Sequence, residues 1–129
     1  MVSVHTLEVL PTVEELNEAV GRAFLARLRT LVDEAGAGSR VNLAISGGAI
    51  TTSLLPSLLP FVGEVDWSRV RVWLVDERYV PAGDDDRNDD QAWEGFLRAA
   101  SGVEFVHMPT SDASAPGAGS LDEATASFA

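Results

Sequence analysis

Hydrophobic positions along this chain follow two alternating rhythms. Leu16, Val20, Phe24, Leu28 and Leu31 recur every three or four residues, the spacing that lines one face of a helix. Thr12 stands before the first turn with Glu15 three residues on, a capping-box start, and Gly36 and Gly38 supply the stop. That stripe reads as core. Val41 to Ile45 is a short apolar run of the kind a parallel strand shows when both its faces are covered. Arg69 to Val75 reads as a third strand and Val103 to His107 as a shorter fourth, while Val2 to Val9 is expected to form the first, from its β-branched residues and partial alternation. Thr51 to Pro60 looks helical but carries two prolines, so this helix starts late or kinks at Pro56. A further helix is expected over Asp90 to Ala100 with Trp93, Phe96 and Leu97 inward. Met108 to Gly119 is a loop. Ser120-Leu121-Asp122-Glu123 is a second capping box, with only two turns of helix before Ala129. A start signal with so little helix behind it suggests a truncated chain.

Strands alternating with helices imply an α/β fold with a parallel sheet and right-handed crossovers. Ligands of such sheets bind beyond the carboxyl ends of the strands. Ser46-Gly47-Gly48, Asp76-Glu77-Arg78 and His107 each follow the end of a predicted strand, so all three should share one edge.

Composition narrows the partners. The 129 residues suit one domain with a real core. There is no cysteine, which excludes disulfides and thiolate metal sites and is compatible with a reducing cytoplasm. The N-terminus lacks a signal peptide pattern, and no apolar run approaches membrane-spanning length. The formal net charge of -11 opposes binding to nucleic acid or anionic membranes. Every basic residue is arginine. An anion site must therefore rest on arginine, on backbone N–H groups or on groups outside this chain.

Ser46-Gly47-Gly48 joins a strand to a helix start. Glycine admits close backbone approach, and the free N–H groups of a first helical turn suit a phosphate. Many α/β proteins use Gly-Gly only to turn the chain, and this turn is neither a P-loop nor a dinucleotide fingerprint. Arg78 suits a bidentate grip on phosphate, and Asp76 suits a base or the group that orients one; a structural ion-pair network explains the same residues. The acidic run Asp84 to Asp90 fits a calcium loop at its first positions but places Asp89 where glycine is required and Gly95 where glutamate is required, so it reads as a solvated lead into a helix. His5 and His107 read as structural, and Trp67, Trp73 and Trp93 as core or helix–sheet packing.

In order along the chain stand Ile45-Ser46-Gly47-Gly48, Asp66-Trp67-Ser68-Arg69-Val70, Asp76-Glu77-Arg78-Tyr79-Val80-Pro81 and Asp86-Arg87-Asn88. From about Leu43 to Asn88 the chain resembles the N-terminal half of the 6-phosphogluconolactonase family. The resemblance implies a Rossmann-like three-layer α/β sandwich, shared with glucosamine-6-phosphate isomerases, and hydrolysis of 6-phosphogluconolactone to 6-phosphogluconate in the pentose phosphate pathway. It implies a phosphorylated sugar lactone as partner and no metal or organic cofactor. Ser46, Gly47 and Gly48 would form the substrate turn, Arg78 would contact the phosphate or the polar substrate edge, Asp76 would sit beside the reacting sugar, and Asn88 would fix the loop.

Two departures stand out. The family follows Gly-Gly with hydroxyl residues, whereas Ala49 and Ile50 leave Thr51 as the next hydroxyl, and Thr51 is the substrate-binding candidate expected in their place. The family's catalytic histidine belongs to a downstream Gly-x-Asp-Gly-His segment, which does not occur in these 129 residues; His107 is not in that context. A lone carboxylate such as Asp76 is a weak base for lactone hydrolysis. The expectations are an inactive isolated chain, a sheet unfinished toward its C-terminal end, and an apolar face open to self-association. The rival readings are a sugar-phosphate isomerase of the same fold, against which Arg78 in place of a tyrosine argues, and a non-catalytic sugar-phosphate-binding or interaction module.

Overall fold

The computed structural model describes residues 4–112 and 119–129. Three short strands form one parallel sheet: β1 (Val41–Ile45), β2 (Val70–Leu74) and β3 (Glu104–Phe105), side by side in chain order. Val41 pairs with Val70, Ile45 with Leu74, and Val72 with Phe105. Parallel neighbours need a crossover, and the right-handed rule keeps successive connections of this kind on the same face of the sheet. Val70, Val72 and Leu74 of β2 and Ile45 of β1 join one core with Leu25, Leu28 and Val32 of the first helix and with Ala92, Phe96 and Leu97. On the other face Asn42 and Ala44 are exposed, so β1 is not covered on both sides as its apolar run suggested. Its residues alternate instead, with the large ones inward. Trp73 on that face meets Phe128 edge to face and donates its ring N–H to Asn42 Oδ1 at 3.0 Å.

Helix α1 (Val13–Glu34) starts at Thr12, whose hydroxyl accepts from the Glu15 N–H at 3.1 Å. Its buried face is Gly21, Leu25, Leu28 and Val32 rather than the expected stripe, leaving Leu16 and Val20 exposed and Phe24 and Leu31 half-buried. The cause is Gly21. The Leu58 side chain occupies the space where a Cβ at residue 21 would stand, so the next helical segment docks there and turns α1 about its axis.

That segment is broken, as its prolines predict. A π-helical turn (Ile50–Leu54) leads into a single turn, α2 (Leu55–Ser57), and then a 3-10 stretch (Leu59–Glu64). Pro56 has no N–H to give the preceding turn, and the widened turn sends the Leu55 N–H to the Ile50 carbonyl. Asp66 then accepts from the Ser68 N–H and hydroxyl, at 3.2 and 2.6 Å. Between them Trp67 is buried, its ring N–H on the Val62 carbonyl at 2.8 Å and its ring in a T-shaped contact with Phe96. The Asp-Trp-Ser motif thus serves packing at the entry to β2.

Helix α3 (Asn88–Gly95) begins two residues earlier than expected and gives way to a 3-10 turn (Leu97–Ala99). Phe96 and Leu97 are buried, but Trp93 is exposed. Helix α4 (Leu121–Phe128) starts at Ser120, whose hydroxyl accepts from the Glu123 N–H. The expected first strand, Val2 to Val9, is not one where described. Val4, Leu7 and Val9 are almost fully exposed, His5 is exposed too, and no strand lies beside the segment to complete a ladder. Its first two residues, and residues 113–118 of the expected Met108–Gly119 loop, lie outside the described residues. Among the described residues no helix is long and apolar enough to cross a membrane.

Candidate functional site at the carboxyl edge of the sheet

The parallel register brings the three strand ends together. The Val75 N–H continues the β1–β2 ladder to the Ile45 carbonyl at 2.9 Å, and the Val106 N–H continues β2–β3 to the Val72 carbonyl at 2.9 Å. Ser46-Gly47-Gly48, Asp76-Glu77-Arg78 and His107 therefore emerge from one edge, as their positions in the sequence predict.

Asn88 ties the first two together. A Cβ on Gly47 would overlap the Asn88 amide, so glycine here admits a side chain of the same molecule. The Asn88 amide also donates to the Asp76 carbonyl at 3.3 Å and reaches its carboxylate at 3.5 Å. Gly48 has φ +68 with open space around it, so its glycine serves the left-handed turn. Thr51 is buried, and its hydroxyl lies 3.1 Å from the Gly48 carbonyl and 3.2 Å from Gln91 Oε1. It shapes the turn and is not presented to solvent, which removes it from the set of direct substrate contacts. Ser46 is exposed, with no hydrogen bond to a described residue.

Beneath these residues lies a buried ionic cluster that sequence reasoning missed. The Glu77 side chain is almost wholly buried and accepts from three backbone N–H groups: Arg78 at 2.9 Å, Asn88 at 2.7 Å and Asp89 at 2.9 Å. It caps α3 from eleven residues upstream, where the N-cap residue Arg87 makes no side-chain cap bond. Arg87 is fully buried. Its guanidinium donates to the carbonyls of Arg78 (2.9 Å), Met108 (2.9 Å) and Pro109 (3.2 Å) and to Asp89 Oδ2 through two nitrogens (2.8 and 3.2 Å). Asp89 also meets His107 Nδ1 at 3.2 Å. Burial pulls the Asp89 carboxyl upward, but the bonds from Arg87 and His107 outweigh it and hold it below its ordinary value. Asp89 is therefore no part of a solvated loop. The one signal in the sequence was a single arginine set inside an acidic run.

Above the cluster, Asp76 and Arg78 are exposed, and the Arg78 guanidinium has no hydrogen bond or ion pair with a described residue. Asp76 and Arg78, with Met108 and Pro109, line one side of a cavity of about 400 Å³, and Leu121 and Phe128 of α4 line the other. A larger groove of about 640 Å³ between α1 and the broken helix holds none of the strand-end residues. The chemistry lies with the smaller cavity: its lining includes the Asp76 carboxylate and the Arg78 cation, which has no ion pair among the described residues. Among the described residues no three acidic or histidine side chains are grouped to hold a metal ion.

Comparison with known proteins bears on the family and the fold. Residues 11–129 match the family model of glucosamine-6-phosphate isomerases/6-phosphogluconolactonase. A 6-phosphogluconolactonase of Mycobacterium leprae is 38% identical over 78 residues, 60% of this chain and 32% of that protein. One of Streptomyces coelicolor is 36% identical over 83 residues, 62% of this chain and 32% of that protein. The crystal structure of a 6-phosphogluconolactonase from Shewanella baltica OS155 superposes with TM-score 0.68 at 28% identity, covering 93% of this chain and 49% of that one. The match spans about a third of the length of those two curated relatives.

Proposed function

From the premise that the chain belongs to the glucosamine-6-phosphate isomerase/6-phosphogluconolactonase family, we propose that its carboxyl edge holds 6-phosphogluconolactone for hydrolysis to 6-phosphogluconate. The observation that carries this reading is the Gly47–Asn88–Asp76 contact chain beside an exposed Arg78 whose guanidinium has no partner among the described residues, in a chain of net charge -11. In such a field a free guanidinium is the natural anchor for a phosphate. Asp76 stands where it can orient the sugar ring or a water, and Ser46 offers a hydroxyl to the polar substrate edge. Gly47 and Gly48 shape the turn that presents it, and Asn88 fixes the loop.

Hydrolysis of the lactone adds water across the ester carbon–oxygen bond. It requires a base for the water and donors for the oxyanion. Neither histidine of this sequence stands in a Gly-x-Asp-Gly-His segment, and Asp76 alone is a weak base. The 129 residues are thus expected to bind the substrate or product without turning it over at enzymatic rates. A cysteine-free chain suits a reducing compartment, which supports a cytoplasmic setting for this reading.

Calorimetry with 6-phosphogluconate tests the reading. Binding that falls by about tenfold or more in Arg78→Ala supports it, the loss of one charge-assisted contact being of that size. Binding unchanged in Arg78→Ala overturns the phosphate anchor. Glucosamine 6-phosphate, titrated alongside, separates the lactonase reading from the isomerase one.

A further inference from the structure

We propose that Arg87 is the positioning residue of this edge, holding the Arg78 backbone so that the Arg78 guanidinium is aimed before ligand arrives. The inference rests on the reading of Arg78 given above. Its basis is that both backbone polar groups of Arg78 are held by buried ionised side chains. The Arg78 N–H goes to Glu77 Oε1 at 2.9 Å, and the Arg78 carbonyl accepts from Arg87 Nη1 at 2.9 Å. The two holders face each other, with Arg87 Nε 3.8 Å from Glu77 Oε2, and both are almost wholly buried. The Arg78 side chain itself has no partner among the described residues. A residue whose two flanking peptide units are both fixed, carrying a cation with no partner among the described residues, is the arrangement expected of a preorganised anion contact.

A merely structural arginine would not need this placement. Burying a guanidinium is costly, and an apolar side chain fills a loop base as well or better. Arg87 instead bridges two strand-end loops, through the Arg78 carbonyl after β2 and the Met108 and Pro109 carbonyls after β3. These are the same two loops that line one side of the 400 Å³ cavity. Only a planar fork of five donors reaches three carbonyls and a carboxylate at once. Lysine keeps the charge but is a point donor, so Arg87→Lys separates charge from geometry.

The test is a double-mutant cycle on the 129-residue chain, titrated with 6-phosphogluconate, with thermal unfolding recorded for every variant. Arg87→Lys should weaken binding by about tenfold or more, since a displacement near 1 Å at a contact has effects of that order. In the Arg78→Ala background the same substitution should cause no further loss, because there is no guanidinium left to aim. Losses that multiply in the double variant overturn the inference, as does unchanged binding in Arg87→Lys while Arg78→Ala abolishes it; both leave the functional reading standing. No binding by the unsubstituted chain overturns the functional reading and this inference together. Should Arg87→Lys not fold, Asp89→Asn weakens the anchor of Arg87 in its place. It should lower affinity only where Arg78 is present, and unchanged affinity overturns the inference.

Discussion

Gly47→Ala isolates the contact on which the geometry of the edge turns. The added Cβ would stand 2.5 Å from Asn88 Cγ, 3.0 Å from Nδ2 and closer still to Oδ1. Residue 47 does not have a positive φ, so alanine meets no backbone strain there; the whole cost is the collision. Asn88 is 8% exposed and its own N–H is held by Glu77, so the amide must swing out of its place. Overpacking of this kind costs about 1–3 kcal/mol, and the lost bond to the Asp76 carbonyl about 1 more. Removing a glycine from the unfolded chain returns about 0.4–1 kcal/mol. The net loss is about 1–3.6 kcal/mol, or roughly 4–13 °C in Tm for a chain of this size. Two controls frame it. Gly48→Ala meets no atom but must hold φ +68, which costs about 1–2 kcal/mol. Gly63→Ala meets neither obstacle and should be neutral or slightly stabilising. Asn88→Ala should absorb the effect, so that the Gly47→Ala/Asn88→Ala pair is no less stable than Asn88→Ala alone. Urea and thermal unfolding of the free protein measure all five. If glycine at 47 served only to let a ligand approach, Gly47→Ala would match Gly63→Ala in stability and lose only binding; that result would refute the reasoning.

Three further outcomes follow from the same contacts. Asp89 has a depressed folded-state pKa, so its contribution is complete above its unfolded value near 3.9 and is lost as pH falls through the folded value. Stability should therefore fall in acid below about pH 4, and Asp89→Asn should flatten that limb; equal slopes in the two proteins would contradict the pairing. Glu77→Gln replaces one of two acceptor oxygens by a donor facing a backbone N–H and leaves Arg87 short of negative charge, and should cost about 3 kcal/mol by urea unfolding. Thr12→Ala removes the α1 cap and should cost about 1 kcal/mol, with loss of helical signal confined to the first turn.

What the sequence made legible was whatever is decided locally. Val41–Ile45 lies at its expected bounds, because four apolar residues of five between turn signals leave a parallel strand little choice. Thr12 and Ser120 cap their helices, since a hydroxyl three residues before a glutamate needs only its own backbone. The buried face of α1 was not legible, because Leu58 docking over Gly21 decides it and a helical glycine carries no hydropathy signal. Val4, Leu7 and Val9 have strand propensity without a neighbour to pair with, and propensity alone builds no ladder. Trp93 failed for a related reason: α3 starts two residues early, its first turn drawn onto Glu77, and the tryptophan is turned out to solvent.

The site divides along the same line. The sharing of one edge by Gly47, Asp76, Arg78 and His107 is a consequence of parallel strands and could be read from strand ends alone. The separation of roles between Arg78 and Arg87 could not. Both arginines stand among carboxylates, nine positions apart, and local sequence gives them equal claims to a ligand. Burial decides between them. Arg87 is enclosed with Glu77 and Asp89, a group whose formal charges sum to minus one, and its bonds to two carboxyl-edge loops leave it nothing to offer a solute. Arg78, held by its peptide groups on that base, has a guanidinium with no partner among the described residues. The buried pairing takes Glu77 and Asp89 away from Arg78: had either carboxylate faced solvent beside it, the attraction would have drawn that guanidinium into an ion pair and weakened the anchor proposed for it.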